Sequence, residues 1–382
     1  MSALNLPRSA DAALAATALP DYVLDYAPLV WLHSEDQYRP SGFAEHLNHV
    51  VPEVDYNPIE DIQTPLTLDN LDQLNAAGNE SVYLTSEEGI DADPQPDWIF
   101  GTDIDDNGQA NDVSSIIVLN DHGEGDVDAF YFYFYSYNLG NTVLGMEFGN
   151  HVGDWEHNMI RFKDGTPQAI WYSQHASGQA FTYDATEKQG KRPVAYSGNG
   201  THAVYSSTGG HDHTIPGVDL PVGFLVDQTD QGVLWDPTSG AYAYSYAADT
   251  QTFEAYDSSY PVKWLDFNGK WGDDALQGGP ELFGQAKYSG GPNGPKFKNL
   301  QRDKQFNAEL MSDIQFPGAY HYRPNTDASA FCKKLRQPGG DGEIDSSGHQ
   351  VWMSPRTPGC KAASMPVSAD GEFMQREKQG VG

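Results

Sequence analysis

The chain has 382 residues, 54 of them acidic and 22 basic, for a formal net charge of −32 at pH 7 and a sequence pI near 4.4. Such a surface repels nucleic-acid phosphates and anionic membranes, which sets nucleic acid aside as a partner, and no stretch reaches the ~20 apolar residues of a membrane helix. The length allows one large β domain or two average ones, and with aromatics at 12% its apolar material suits strands and groove walls better than helical bundles.

Residues 1–20 are small and Ala-rich and read as a flexible tail. They have neither the basic cluster nor the apolar run of a secretory signal, so the start fits a mature secreted chain or a native cytosolic one. Order is expected from Asp21. The segment 22–33 (YVLDYAPLVWLH) reads as β, 43–50 as a short helix, and 68–74 as another. From Val82 onward the pattern is short strands bounded by Gly, Asn, Asp and Pro. The clearest is 127–137 (VDAFYFYFYSY), with Phe130, Phe132 and Phe134 on one face and Tyr131, Tyr133, Tyr135 and Tyr137 on the other. Its period of two makes it a strand, and aromatic residues on both faces place it inside a sheet. The Tyr face packs as a second layer, or else lines a groove. Further strands are expected at 155–162, 168–173, 180–183, 193–197, 202–206, 223–226, 241–246, 252–256 and 262–265. The fold class is therefore mainly β: a sandwich-like pair of packed antiparallel sheets with short helical decorations. It forms a single β-rich domain over 21–323, and 324–382 is an irregular C-terminal wrap. Cys332 and Cys360, with 27 residues between them, are expected to form one bridge in an oxidising compartment; two free thiols are the alternative. Sequons at Asn79 and Asn199 lean toward secretion.

The densest group of reactive residues is Asn150-His-Val-Gly-Asp-Trp-Glu-His-Asn158. Two more histidines follow strand-like runs, His175 in Ser173-Gln-His-Ala-Ser-Gly178 and His202 in Gly198-Asn-Gly-Thr-His-Ala-Val-Tyr205, and His211 and His213 form a further cluster. Tyr26-Ala-Pro-Leu-Val-Trp-Leu-His-Ser34, His151-Val-Gly-Asp-Trp-Glu-His157, Ser173-Gln-His-Ala-Ser-Gly178 and Arg192-Pro-Val-Ala-Tyr-Ser-Gly-Asn-Gly-Thr-His-Ala-Val-Tyr205 resemble the landmarks of the fungal vacuolar protein sorting-associated protein 62 family. They stand in the family's order across roughly residues 22–235. The resemblance implies a link to vacuolar trafficking.

Imidazoles and carboxylates converging from separate strands suit a divalent metal that activates water. The spacing His-x-x-x-x-Glu-His is none of the known zinc signatures. On a strand starting at Asp154, Asp154 and Glu156 share one face while Trp155 and His157 take the other. Without metal, Asp154 and Glu156, ~6.7 Å apart at Cα, form a carboxylate pair able to act as base and acid on a glycosidic bond. The plain alternative is a set of hydrogen-bonded structural groups. Separately, Asp103-Ile-Asp-Asp-Asn-Gly108 opens like a calcium loop, with Asp103, Asp105 and Asn107 as oxygen donors for a structural Ca²⁺. Ser114 stands where an EF-hand has its bidentate Glu.

The leading expectation is a secreted hydrolase acting on a carbohydrate polymer. Asp154, Glu156, His157, His175 and His202 line one pocket, and Trp155 and Trp171 stack sugar rings. The competing readings are a non-catalytic carbohydrate- or cell-surface-binding sandwich module, and a cytoplasmic or vacuolar trafficking protein.

Overall fold

The computed structural model describes residues 18–175, 177–212, 225–282, 285–302, 343–344 and 350–351. The strands that position the site are, in chain order, β1 (Leu29–Leu32), β2 (Ser115–Gly123), β3 (Asp126–Asn138), β4 (His151–Lys163), β5 (Thr166–Gln174), β6 (Ser177–Thr182), β7 (Arg192–Ser197), β8 (Val204–Tyr205), β9 (Gly209–Asp212), β10 (Val226–Thr229), β11 (Val233–Trp235), β12 (Tyr242–Ala247) and β13 (Thr252–Ala255). The alternating aromatic segment forms β3, the middle member of a seven-stranded sheet ordered β6-β5-β4-β3-β2-β12-β13. A second sheet is ordered Lys188–Gln189, β7, β1, β11, with β8 on β7. Most pairings are antiparallel, while β12 on β2 and β7 on β1 are parallel.

The period of two decides what each face of β3 meets. Phe130, Phe132 and Phe134 join Phe43, Trp155, Trp264 and Trp271 in the larger core, on the side covered by short helices and by the strands Val50–Val54 and Tyr83–Ser86. Tyr131, Tyr133 and Tyr135 face the second sheet and pack with Val30, Leu32, Ala195 and Trp235. The Tyr face is thus a packed second layer. Each Tyr ring can be buried there because its hydroxyl finds a partner, as Tyr131 does on the Val23 carbonyl at 2.7 Å and Tyr133 on Asn158 at 2.9 Å.

Four expected strands differ: 202–206 narrows to Val204–Tyr205 because His202 sits in a left-handed turn, and of 223–226 only Val226 is in a strand, with 223–224 outside the described residues. Within 22–33 only Leu29–Leu32 is a strand, since Asp21–Asp25 is a helical turn behind an extended Pro20, with an acidic residue at its N-terminus. Residues 262–265 form a 3₁₀ turn, Lys263–Asp266, which sends the adjacent Trp264 and Leu265 both inward. Residues 43–46 are helical as expected, and the 68–74 helix lies later, as a 3₁₀ turn Leu71–Gln73 running into Leu74–Ala77. Cys332, Cys360 and His213 lie outside the described residues.

Candidate functional site

The site lies between the two sheets, where β4 begins and the β7–β8 and β5–β6 turns end. Gly153 shapes it. Its φ of +69° is open to glycine, and a Cβ there would sit 2.1 Å from the Trp271 carbonyl oxygen. Residues three apart on a regular strand face opposite ways. The turn of the chain at Gly153 instead brings His151 Nε2 to 3.7 Å from Asp154 Oδ1. The other Asp154 oxygen accepts from His202 Nδ1 at 3.0 Å. His202 is fully buried, stacks on Tyr135 at 3.7 Å between ring centroids, and points Nε2 toward Asp36 at 3.6 Å. Asp36 in turn accepts from the Gly200 and Tyr38 backbone N–H groups, each at 2.9 Å. A chain Asp36–His202–Asp154–His151 therefore ties the end of β1 to β4 through the β7–β8 turn.

A second chain runs beside it. Asp227, fully buried on β10, accepts from Thr201 (2.9 Å), Asn141 (3.0 Å), Tyr205 (2.6 Å) and His175 Nε2 (2.7 Å). His175 reaches solvent, with 31% of its side chain exposed. Both His175 (φ +52°) and His202 (φ +54°) adopt the left-handed conformation. Such positions favour Gly or Asn and collect at functional sites.

Electrostatics separate the two carboxyls of β4. Burial alone would favour neutral Asp154, but hydrogen bonds from His151 and His202 outweigh it and hold the carboxylate well below its usual range. Glu156 is sealed as deeply, and the charges of Lys298 and His175 with a bond from Ser173 only partly offset that burial. Burial and the neighbouring Asp154 charge push it up to about 8. Its Oε2 has no hydrogen-bond partner among the described residues. Burial opposes the proton on His175, yet the Asp227 carboxylate prevails and raises it to about 9. Near neutral pH the site holds an ionised Asp154, a protonated Glu156 and a cationic His175.

Of the five expected pocket residues, Asp154, Glu156, His175 and His202 share this side of the sheet. His157 does not. It lies on the opposite face among Phe130 and Phe132, as the strand's parity requires. Trp155 and Trp171 are corrected as sugar platforms: they are 0% and 5% exposed and belong to the larger core. His211 packs flat on Tyr205 at 3.9 Å and bonds Thr229, a supporting role. In the calcium-like loop, Asp105 accepts from the backbone N–H groups of Asn107 and Gln109 and from the Asn107 amide. Two of the three expected donors, Asp105 and Asn107, are thus hydrogen-bonded to each other within the loop. Among the described residues no group of three or more His, Cys, Asp or Glu side chains is arranged to hold a metal. Asp36, Asp227, Thr201 and Tyr205 escaped sequence reasoning. Asp227 is 52 residues from His175 and Asp36 is 164 from Gly200, and nothing local marks either.

A family model described as vacuolar protein sorting-associated protein 62 matches residues 135–277, which include β4 and the turns that carry His175 and His202. Two Saccharomyces cerevisiae proteins are similar along most of their length. The putative vacuolar protein sorting-associated protein TDA6 is 37% identical over 321 residues, covering 74% of this chain and 68% of that one. Vacuolar protein sorting-associated protein 62 is 35% identical over 317 residues, covering 74% and 67%. Among solved structures, the non-toxic HaNLP3 protein aligns over 60% of this chain and 77% of its own at 11% identity, with a TM-score of 0.25 too low to carry an argument.

Proposed function

Because the chain belongs to the vacuolar protein sorting-associated protein 62 family, we propose that it serves in protein traffic to the vacuole, with the acid–histidine cluster as its recognition site. The relatives' names support the vacuolar role over secretion. The observation that carries the site is Glu156, a buried carboxyl beside an ionised Asp154 with one oxygen lacking a partner. Folding gains nothing from leaving such a group unmatched, and perturbed carboxyls of this kind gather where proteins bind or react. His175, at the solvent end of the cluster, is the group a ligand meets first.

The test uses a yeast strain lacking both relatives and scores mis-secretion of a vacuolar hydrolase. The wild-type gene should restore sorting, and Glu156→Gln and His175→Ala, expressed at equal level and shown to be folded by circular dichroism at the assay temperature, should not. Full rescue by both variants would remove the site from the function. Normal sorting in the double-deletion strain would remove the trafficking role.

The divided ionisation of Asp154 and Glu156 favours a second reading, hydrolysis with Glu156 as acid and Asp154 as base. A carbohydrate polymer is its substrate class, now without the tryptophan platform. Product formation from a polysaccharide panel, abolished by Glu156→Gln, supports this reading, and saturable glycan binding without turnover supports a binding module.

A further inference from the structure

On the Phe-lined face of the seven-stranded sheet, three nitrogen-bearing side chains form no ion pair or hydrogen bond with a carboxylate among the described residues, though the Lys298 charge also reaches Glu156. His157 is 4% exposed, and neither ring nitrogen has a hydrogen-bond partner among the described residues. Its ring lies 5.1 Å from Phe132 and 6.0 Å from Phe130, centroid to centroid. The Arg302 guanidinium carbon is 4.8 Å from the Trp171 ring centroid and 5.7 Å from that of Phe130, and its Nε is buried with no partner among the described residues. Lys298 is half-buried and close enough, with Arg302, for both charges to act with burial in keeping His157 neutral. Asp128, the carboxylate whose field reaches Arg302, already binds Arg161 and His122.

The pattern runs against composition. Acidic side chains outnumber basic ones 54 to 22, yet these three groups make no ion pair among the described residues. A buried N–H left unmade costs more than a bond gains, and a guanidinium held over an indole face is fixed in place by the ring's quadrupole. Edge-on guanidinium donors match the paired oxygens of phosphate and carboxylate.

We propose that His157, Arg302 and Lys298 form a binding site for a small oxyanion, phosphate or carboxylate, walled by Phe130, Phe132 and Trp171. Arg302 and Lys298 donate charge-assisted bonds and His157 donates one ring N–H. The site is separate from the acid–histidine cluster and stands or falls independently of the sorting role.

The experiment is calorimetric titration of the full chain with inorganic phosphate, glycerol phosphate and acetate at constant ionic strength, alongside the ¹⁵N resonances of the His157 ring. Saturable 1:1 binding of at least one anion is expected, with a shift of the His157 resonances. Arg302→Gln should weaken it at least tenfold, and Lys298→Gln, at a half-buried position, about threefold. Stronger binding of acetate than of the phosphates assigns a carboxylate ligand, and the reverse a phosphate, with the monoester arm telling a free ion from a phosphorylated molecule. No saturable binding of any of the three, or binding untouched by both substitutions, overturns the proposal.

Discussion

Glu156 and His175 set the direction in which the molecule responds to pH. A carboxyl raised from 4.5 to about 8 by folding keeps its proton in the fold while the unfolded chain loses it. Stability therefore falls as pH climbs through that window. His175, raised from 6.5 to about 9, contributes fully below 6.5 and is lost as pH rises through 9. Asp154, depressed, contributes above 3.8 and is lost as pH falls through its lowered value. The three together place the melting-temperature maximum in acidic buffer, near pH 4 to 4.5, and Glu156→Gln should flatten the slope between pH 4.5 and 8. A variant profile parallel to the wild type would refute the assignment. Asp227→Ala removes one acceptor from four donors and should cost about 3–5 kcal/mol in urea unfolding. Asp154, Glu156, His175 and His202 were legible because titratable residues beside Gly and Asn mark strand ends. Asp36 and Asp227, their partners, were not, because each meets its histidine only once the two sheets pack.

The strands carry the same lesson at the scale of elements. β3 was readable to within a residue of its start because its alternation is unbroken, and Phe132, fully buried, should cost about 3–5 kcal/mol when cut to Ala. β2 (SIIVLNDHG) is buried on both faces over its first six residues, so it shows no alternation and only a continuous apolar run. The helical turn at Asp21–Asp25 was hidden because apolar residues with a few charges look alike in a short helix and a short strand. Parity also foretold that Trp155 and His157 would leave the Asp154 face, and the single-pocket expectation went against it. Gly153 joins element to site. Gly153→Ala should lower stability by at least about 1 kcal/mol, since it strains a left-handed φ and meets the Trp271 carbonyl. It should also disturb the His151–Asp154 contact, read as a change in the His151 ring resonance.

At the scale of the whole molecule, composition and periodicity were enough for a two-sheet β architecture. They could not give the parallel joins of β1 to β7 and β2 to β12, which depend on long-range chain return. The net charge of −32 implies self-repulsion across the surface, so moderate salt should raise the melting temperature and leave the buried pairs unchanged. At one end of the sandwich carboxylates and imidazoles join the two sheets beside the apolar core, with two carboxyls of one strand, Asp154 and Glu156, in opposite protonation states at neutral pH. The direct measurement is a pH titration of the side-chain carboxyls by ¹³C NMR, with Glu156→Gln to assign the resonance. We expect one carboxyl to titrate near pH 8, absent from the variant, and another still ionised at the lowest pH the fold survives. Every glutamate titrating below pH 5 would contradict it.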